Sequence, residues 1–382
     1  MPELKAWQLG RELDFLQRIE DKFEDYNQWS RSPFSEVNKP KIAKWLADDN
    51  LIDVLDLTVA FSSVKSMTPI KAYLDVVIAY KRPGDLVIEA FTYEHRQQMI
   101  DWLRSLHLSV YCWIWQESAE MRSIVDEAGF TFVGSKISSF AEIRGLYFRE
   151  GVGEHSLFDD MQRVNPVLDP TEFMGLQQAD IWPSEEQLNA AIAEIDALAR
   201  DFTNHYSSYN KAKSWSALSL RGYTPDPGFI TKPSEMRAKW HEENPGPFEM
   251  QDTLLRAQLP AVDALHKRLT DRATSVHRIR LMQLTPGGGE LQRHTDLTDK
   301  DSGIADGCVA RFHFPLITNP DVIFGSWDMR GNKREINMRV GECWYLDTRK
   351  PHTAVNNGTT ERIHLVVDVE SNAKIRGLLC GD

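Results

Sequence analysis

The chain has 382 residues, a net charge of −12, and 42% apolar residues that include Trp 11 and Phe 17. That length exceeds one comfortable hydrophobic core and predicts two domains, 1–150 and 151–382. The acidic balance argues against a broad nucleic-acid footprint, and no stretch approaches the length of a membrane span. Four cysteines (Cys112, Cys308, Cys343, Cys380) lack C-x-x-C spacing, which predicts reduced thiols, with no disulfide framework and no zinc site. The start Met1-Pro-Glu-Leu-Lys-Ala-Trp has no apolar signal-peptide core, so the expected setting is cytoplasmic.

In chain order, Gly10 to Phe23 and Lys39 to Leu51 carry helical spacing. Tyr73 to Tyr80 and Asp85 to Phe91 read as strands around the turn Arg82-Pro83-Gly84. An amphipathic helix follows over Tyr93 to Leu106, then a buried strand over Leu108 to Trp115 and a helix over Ser118 to Ala128. Thr131 to Gly134 and Ile143 to Phe148 add two strands, so the first domain is expected to be an α/β sandwich. In the connecting region, Ser184 and Gln187 form a capping-box pattern. Leu188, Ile192, Ile195, Ala199 and Phe202 supply the stripe of that helix. Trp215 to Tyr223 reads as a strand, and polar Glu235 to Phe248 as a lid or substrate loop. Leucines at near-helical spacing predict one long helix over Gln251 to Thr270.

After that helix the text changes period. Val276 to Leu284 ends in Pro286-Gly-Gly-Gly289. Val309 to Pro315, Asp321 to Asp328, Lys333 to Val340, Cys343 to Leu346 and Arg362 to Val369 read as further short strands. Such a series indicates an antiparallel barrel or sandwich. Within it lie His294-Thr-Asp296, His352 and Arg362. The short H-x-D step suits a strand end, where residues i and i+2 share a side. Two imidazoles and a carboxylate can occupy one face of an octahedral Fe(II) and leave the other face open. An arginine beyond the second histidine suits a dicarboxylate co-substrate. The constellation reads as an oxygenase using iron(II), 2-oxoglutarate and dioxygen (O2), with His294, Asp296 and His352 on the metal and Arg362 on 2-oxoglutarate.

The run Gly341-Glu-Cys-Trp-Tyr-Leu-Asp-Thr-Arg-Lys-Pro-His352-Thr-Ala-Val-Asn-Asn, ending in Arg362-Ile-His-Leu-Val-Val-Asp368, resembles the aspartyl/asparaginyl β-hydroxylase family, which includes free-proline hydroxylases. Arg311-Phe-His313-Phe-Pro-Leu-Ile-Thr-Asn-Pro320 matches it as well. The resemblance implies a mainly β, double-stranded β-helix (cupin-like jelly roll) with flanking helices. It also implies that Arg311 and His313 contact a carboxylate of 2-oxoglutarate, and that the substrate is a small amino acid or a peptidyl residue. The bland alternative for Arg311 and His313 is a buried ion pair, for instance with Asp296 or Glu342. The peptide-hydroxylating animal members lack the carboxylate ligand, whereas this chain has Asp296.

Met121 to Phe130, followed by two strands, resembles the C-terminal part of GNAT-type acetyltransferases. The glycine-bearing loop that holds a pyrophosphate is missing between Tyr80 and Tyr93, where Gly84 stands alone before a strand. An acetyltransferase-like shell without catalysis is therefore expected. Two other functional classes compete with this reading. One is a bifunctional protein with an active N-terminal acyltransferase, which the missing loop disfavours. The other is a non-catalytic cupin-like binding protein, which the complete ligand set disfavours.

Overall fold

The computed structural model describes residues 68–72, 75–82, 85–91, 93, 96–137, 141–151, 175–198, 201–205, 210, 212–296 and 301–380. The helices expected at Gly10 to Phe23 and Lys39 to Leu51 lie outside them, as does the Pro83-Gly84 turn. Among the described residues no helix is long and apolar enough to cross a membrane. The described residues fall into two compact units, 68–136 with 143–151, and 137–142 with 175–380.

The first unit carries β1 (Thr68–Ala72), β2 (Asp75–Arg82), β3 (Asp85–Phe91), α1 (Arg96–Ser105), β4 (Ser109–Trp115), α2 (Ala119–Glu127), β5 (Thr131–Ile137) and β6 (Ile143–Arg149). Its sheet runs β1-β2-β3-β4-β6-β5. β3 and β4 are parallel because α1 carries the chain back across the sheet. Met99, Ile100 and Leu103 of α1 and Ile124 and Val125 of α2 pack on Leu86, Ile88, Val110 and Cys112. Ser118 caps α2, its hydroxyl accepting from the Met121 N–H at 3.2 Å. The strand expected over Tyr73 to Tyr80 is β2, and β1, which the spacing did not predict, pairs with it antiparallel from Ala72 with Asp75 onward.

The second unit holds β7 (Leu176–Gln178), α3 (Glu185–Ala197), β8 (Thr203–Asn204), β9 (Trp215–Gly222), α4 (Ala238–Glu243), β10 (Gln251–Asp252), α5 (Leu254–Ala257), α6 (Pro260–Leu265) and α7 (Lys267–Thr270). Then come β11 (Val276–Leu284), β12 (Gly289–His294), β13 (Val309–Ile317), β14 (Val322–Trp327), β15 (Lys333–Ile336), β16 (Trp344–Leu346), β17 (His352–Asn356), β18 (Arg362–Glu370) and α8 (Ala373–Cys380). The larger sheet runs β10-β9-β11-β18-β13-β16-β7, with β8 on β9, and the smaller runs β12-β17-β14-β15. This is the two-sheet, mainly β arrangement of the double-stranded β-helix.

Alternation along β18 explains how both faces of the large sheet are filled. Ile363, Leu365, Val367 and Val369 join the core that α3, α6 and α8 cover. Arg362, His364 and Asp368 take the alternate positions on the other face, between the sheets. Met282, Leu284, Phe324, Trp344, Ala354 and Val366 form the apolar floor there. The capping box at Ser184 and Gln187 is complete, but the stripe of α3 centres on Ala191 and Ile195.

The long helix expected over Gln251 to Thr270 is three short ones, α5 to α7. Gln251 and Asp252 pair with β9, Pro260 lacks the N–H needed to continue α5 and begins α6 instead, and Leu254 is exposed. The strand expected over Lys333 to Val340 stops at Ile336, where pairing with β14 ends at Phe324. The region of the expected loop Glu235 to Phe248 contains α4, with Trp240 stacked on Phe229 and Phe248.

Candidate metal centre

Three glycines deliver the first histidine. Gly287 and Gly288 have φ of +72° and +94°, and a Cβ on Gly289 would collide with the Thr285 carbonyl oxygen. The turn feeds β12, whose last residue, His294, pairs directly with His352 at the start of β17. Their ring centroids are 4.2 Å apart. Asp296 follows one residue beyond Thr295, and the ligand atoms of His294, Asp296 and His352 all lie within 4.8 Å of one another.

The second nitrogen of each ring fixes its tautomer. His294 Nδ1 donates to the Gln292 carbonyl at 2.7 Å, and His352 Nδ1 donates to the Lys350 carbonyl at 3.0 Å. A carbonyl only accepts, so both rings carry the proton on Nδ1 and keep the Nε2 lone pair for ligation. Burial, with His294 beside it, pulls His352 down to about 3, so the ring is neutral near pH 7. Burial likewise lowers His294.

Asp296 divides its two oxygens. Oδ1 stands 3.6 Å from His294 Nε2, while Oδ2 accepts from Arg311 at 2.6 Å. Arg311 is itself held by Asp368, through Nε to Oδ1 at 2.7 Å and a second N–H to Oδ2 at 3.2 Å. Arg280 and Arg278 reach the same Asp368 Oδ2 at 3.1 and 3.3 Å. Burial acts to raise the carboxyl of Asp368, but Arg311, Arg280 and Arg278 hold it well below the ordinary range. Asp368, Arg280 and Arg278 were not singled out by spacing. Their signal was charge on like-facing positions of otherwise apolar strands, Arg278 with Arg280 and Arg362 with Asp368.

Arg362 sits differently. It is 3% exposed, and no carboxylate pairs with it among the described residues. One N–H donates to His364 Nδ1 at 3.1 Å, its carbon lies 4.8 Å from the Phe324 ring centre, and Nε has no partner. Burial pulls its pKa down to about 9. Both ring nitrogens of His313 and Nε2 of His364 are also buried without a partner. His313 and His364 meet edge to face, 5.7 Å between centroids. The structure thus separates Arg311, engaged by two acids, from Arg362 and His313, whose donors await an acceptor. Glu342 pairs with none of these groups and instead accepts from Trp344 Nε1 and the Arg339 N–H.

The donor set fits a six-coordinate divalent metal held on one face, and the unpaired buried donors around Arg362 fit a carboxylate. Residues 185–372 match the family model for Aspartyl/Asparaginyl beta-hydroxylase. That region belongs to the aspartyl/asparaginyl β-hydroxylase family. It is accordingly a hydroxylase of the kind that works with iron and 2-oxoglutarate, and the His294, Asp296 and His352 cluster suits the iron.

No curated protein matches the chain. Among solved structures, a Pseudomonas putida prolyl-4-hydroxylase is similar at 12% identity and TM-score 0.30, over 54% of this chain and 98% of that one. A Trichoplax adhaerens prolyl hydroxylase, solved with a hypoxia inducible factor peptide fragment, is similar at 13% identity and TM-score 0.34, over 55% and 90%. A Burkholderia pseudomallei oxidoreductase of the 2OG-Fe(II) oxygenase family reaches 13% and 0.34, over 52% and 85%. These are distant likenesses, and the family assignment rests on the match over residues 185–372.

Proposed function

We propose that the C-terminal unit hydroxylates an unactivated C–H bond of an amino acid or a peptidyl residue. The observation that carries this reading is the pairing of two half-sites: His294, Asp296 and His352 converging within 4.8 Å, and a buried Arg362 with no acid of its own among the described residues. When bound, iron(II) with 2-oxoglutarate and dioxygen supplies the oxidising chemistry that turns C–H into C–OH, with release of succinate and carbon dioxide.

The chain's own residues bind, orient and shield. The Nδ1–H bonds of His294 and His352 aim both Nε2 lone pairs at one point. Arg311 holds one oxygen of Asp296, so the other, beside His294 Nε2, would be the one to hold the metal. Arg362 would receive the distal carboxylate of 2-oxoglutarate, His313, which packs on the same Phe324 ring, would share in that role, and Phe324 and His364 would exclude water around it. The test is succinate release by anaerobically loaded protein. His352→Ala and Asp296→Ala should each abolish turnover and lower bound iron well below about one per chain. Full activity in both variants would end the assignment.

For the N-terminal unit we propose an acetyltransferase-like shell without catalysis, serving recognition or assembly. Supporting it are helix α2, Gly129 at φ +86°, Phe130 and the β5–β6 pair, in the order of that family's C-terminal part. Calorimetry of the full chain with acetyl-CoA should show no saturable heat, and micromolar binding would revive the bifunctional alternative.

A further inference from the structure

Two of the three candidate ligands hang from one turn. The Asp296 N–H donates to the Thr348 carbonyl at 2.8 Å, and His352 Nδ1 donates to the Lys350 carbonyl at 3.0 Å. Both carbonyls belong to the turn that joins β16 to β17, which the Lys350 N–H closes on the Asp347 carbonyl at 3.1 Å. Where that turn stands decides where a carboxylate and an imidazole stand.

The turn is fastened by a side chain outside the ligand set. Asp347 is buried and accepts three N–H groups of Arg349: the backbone N–H at 3.2 Å and Nε at 2.8 Å on Oδ1, and Nη2 at 2.7 Å on Oδ2. An aspartate that takes the N–H two residues on stabilises a turn by itself, and a two-pronged guanidinium adds charge and orientation. On the guanidinium lies Gly303, at φ +130°. A Cβ there would stand 2.6 Å from the guanidinium carbon, so only glycine lets the backbone close on it. That backbone is itself held: the Gly303 N–H donates to the Val309 carbonyl at 3.0 Å, and the Ile304 carbonyl accepts from the Ser371 hydroxyl at 2.7 Å. Arg349 is pinned between a buried carboxylate and a fixed stretch of main chain.

We infer that Asp347, Arg349 and Gly303 form a clamp that positions Asp296 and His352 for the metal. Resting on the metal reading above, the clamp adds three positioning residues to it. If the guanidinium leaves, the Asp347 carboxylate is a buried charge without that partner, and the turn shifts to relieve it. The Thr348 and Lys350 carbonyls shift with the turn. Two ligands then lose their preset geometry although neither has been altered.

The experiment titrates the full chain with manganese(II) by calorimetry and, separately, loads it with cobalt(II), whose visible absorption bands report ligand geometry. Asp347→Asn, Arg349→Met and Gly303→Ala should each raise the manganese Kd at least about tenfold, as expected when a group that orients a metal ligand is lost, and should shift the cobalt bands. Gly303→Ala removes no polar group. Its methyl meets the far end of a flexible side chain, so Arg349 swings away and releases Asp347. Because these changes act through one clamp, the Arg349→Met/Gly303→Ala double variant should stay within about threefold of the worse single variant. Gly307→Ala is the control. It also has a positive φ, +80°, in the same loop, but a Cβ there meets nothing within 4 Å. Its manganese Kd and cobalt bands should match the parent's whatever its urea midpoint does.

A packing role alone would lower the urea midpoints of the clamp variants and leave both metal readouts unmoved, which overturns the proposal. A manganese Kd that rises as far in Gly307→Ala as in Gly303→Ala overturns it too. The Arg349 side chain is 18% exposed, so Arg349→Met decides the matter if Asp347→Asn or Gly303→Ala fails to fold. Normal manganese binding by the parent, with folded clamp variants unchanged, overturns the clamp and leaves the metal reading intact. No binding by the parent, or binding that survives His352→Ala, overturns both.

Discussion

Neutralising Asp368 is the most informative single perturbation of this site. Its carboxylate is 1% exposed and compensates Arg311, Arg280 and Arg278 at 2.7, 3.1 and 3.3 Å. In Asp368→Asn the shape survives and one carbonyl oxygen still accepts, but Arg280 and Arg278 lose their counter-ion and Arg311 keeps only Asp296. Removing one partner of a buried ion pair costs about 3–5 kcal/mol, because the remaining charge stays desolvated. For a domain of this size each kcal/mol moves Tm by about 2–4 °C, so a drop on the order of 10 °C is expected by scanning calorimetry. Replacing Arg280 by Met in the same chain should restore part of the loss, since one uncompensated charge goes with it. Iron affinity should fall roughly 10- to 100-fold as well, because Arg311 would no longer be held against Asp296. A melting point within about 2 °C of the parent, with unchanged iron affinity, would refute the reasoning.

Arg362→Met should raise the 2-oxoglutarate Kd on the order of 30- to 1000-fold, equivalent to about 2–4 kcal/mol, without displacing iron; calorimetry and metal analysis check both halves. Glu194→Ala should cost about 1 kcal/mol in urea unfolding, because its carboxylate accepts the Ala261 and Val262 N–H groups at 2.9 Å at the start of α6. Asp263 is held well below the ordinary carboxylate range by His266 and Arg256. The stability it contributes is therefore complete above its unfolded pKa of about 4 and is lost as pH falls below that, and Asp263→Asn should flatten this acid limb in melts between pH 6 and 2.

The candidate metal cluster was legible in the sequence because the chemistry restricts which residues can serve. His294, Asp296, His352 and Arg362 announce themselves by type and order, and short strands with glycine and proline punctuation announce a barrel. The network behind them was hidden by register. Arg311 and Asp368 lie 57 residues apart and meet only because β13 and β18 pair them rung for rung. Spacing within one strand placed Arg311 and His313 on one face, yet it could not show that two acids claim the arginine while none claims the histidine. The broken helix at 254–270 was visible in Pro260, but a continuous run of leucines masked it.

His294 and His352 occupy facing rungs of the smaller sheet, whereas Asp296 answers to Arg311 on the larger one. A metal gripping all three is therefore a stitch through the seam of the barrel. Any ion that recognises only the closed seam adds its binding free energy to closure. The imidazole pair is secured by its own ladder, so the stitch should loosen first at the carboxylate end. Such an ion would add to a closure that the Arg311–Asp296 pair and the apolar floor between the sheets already hold.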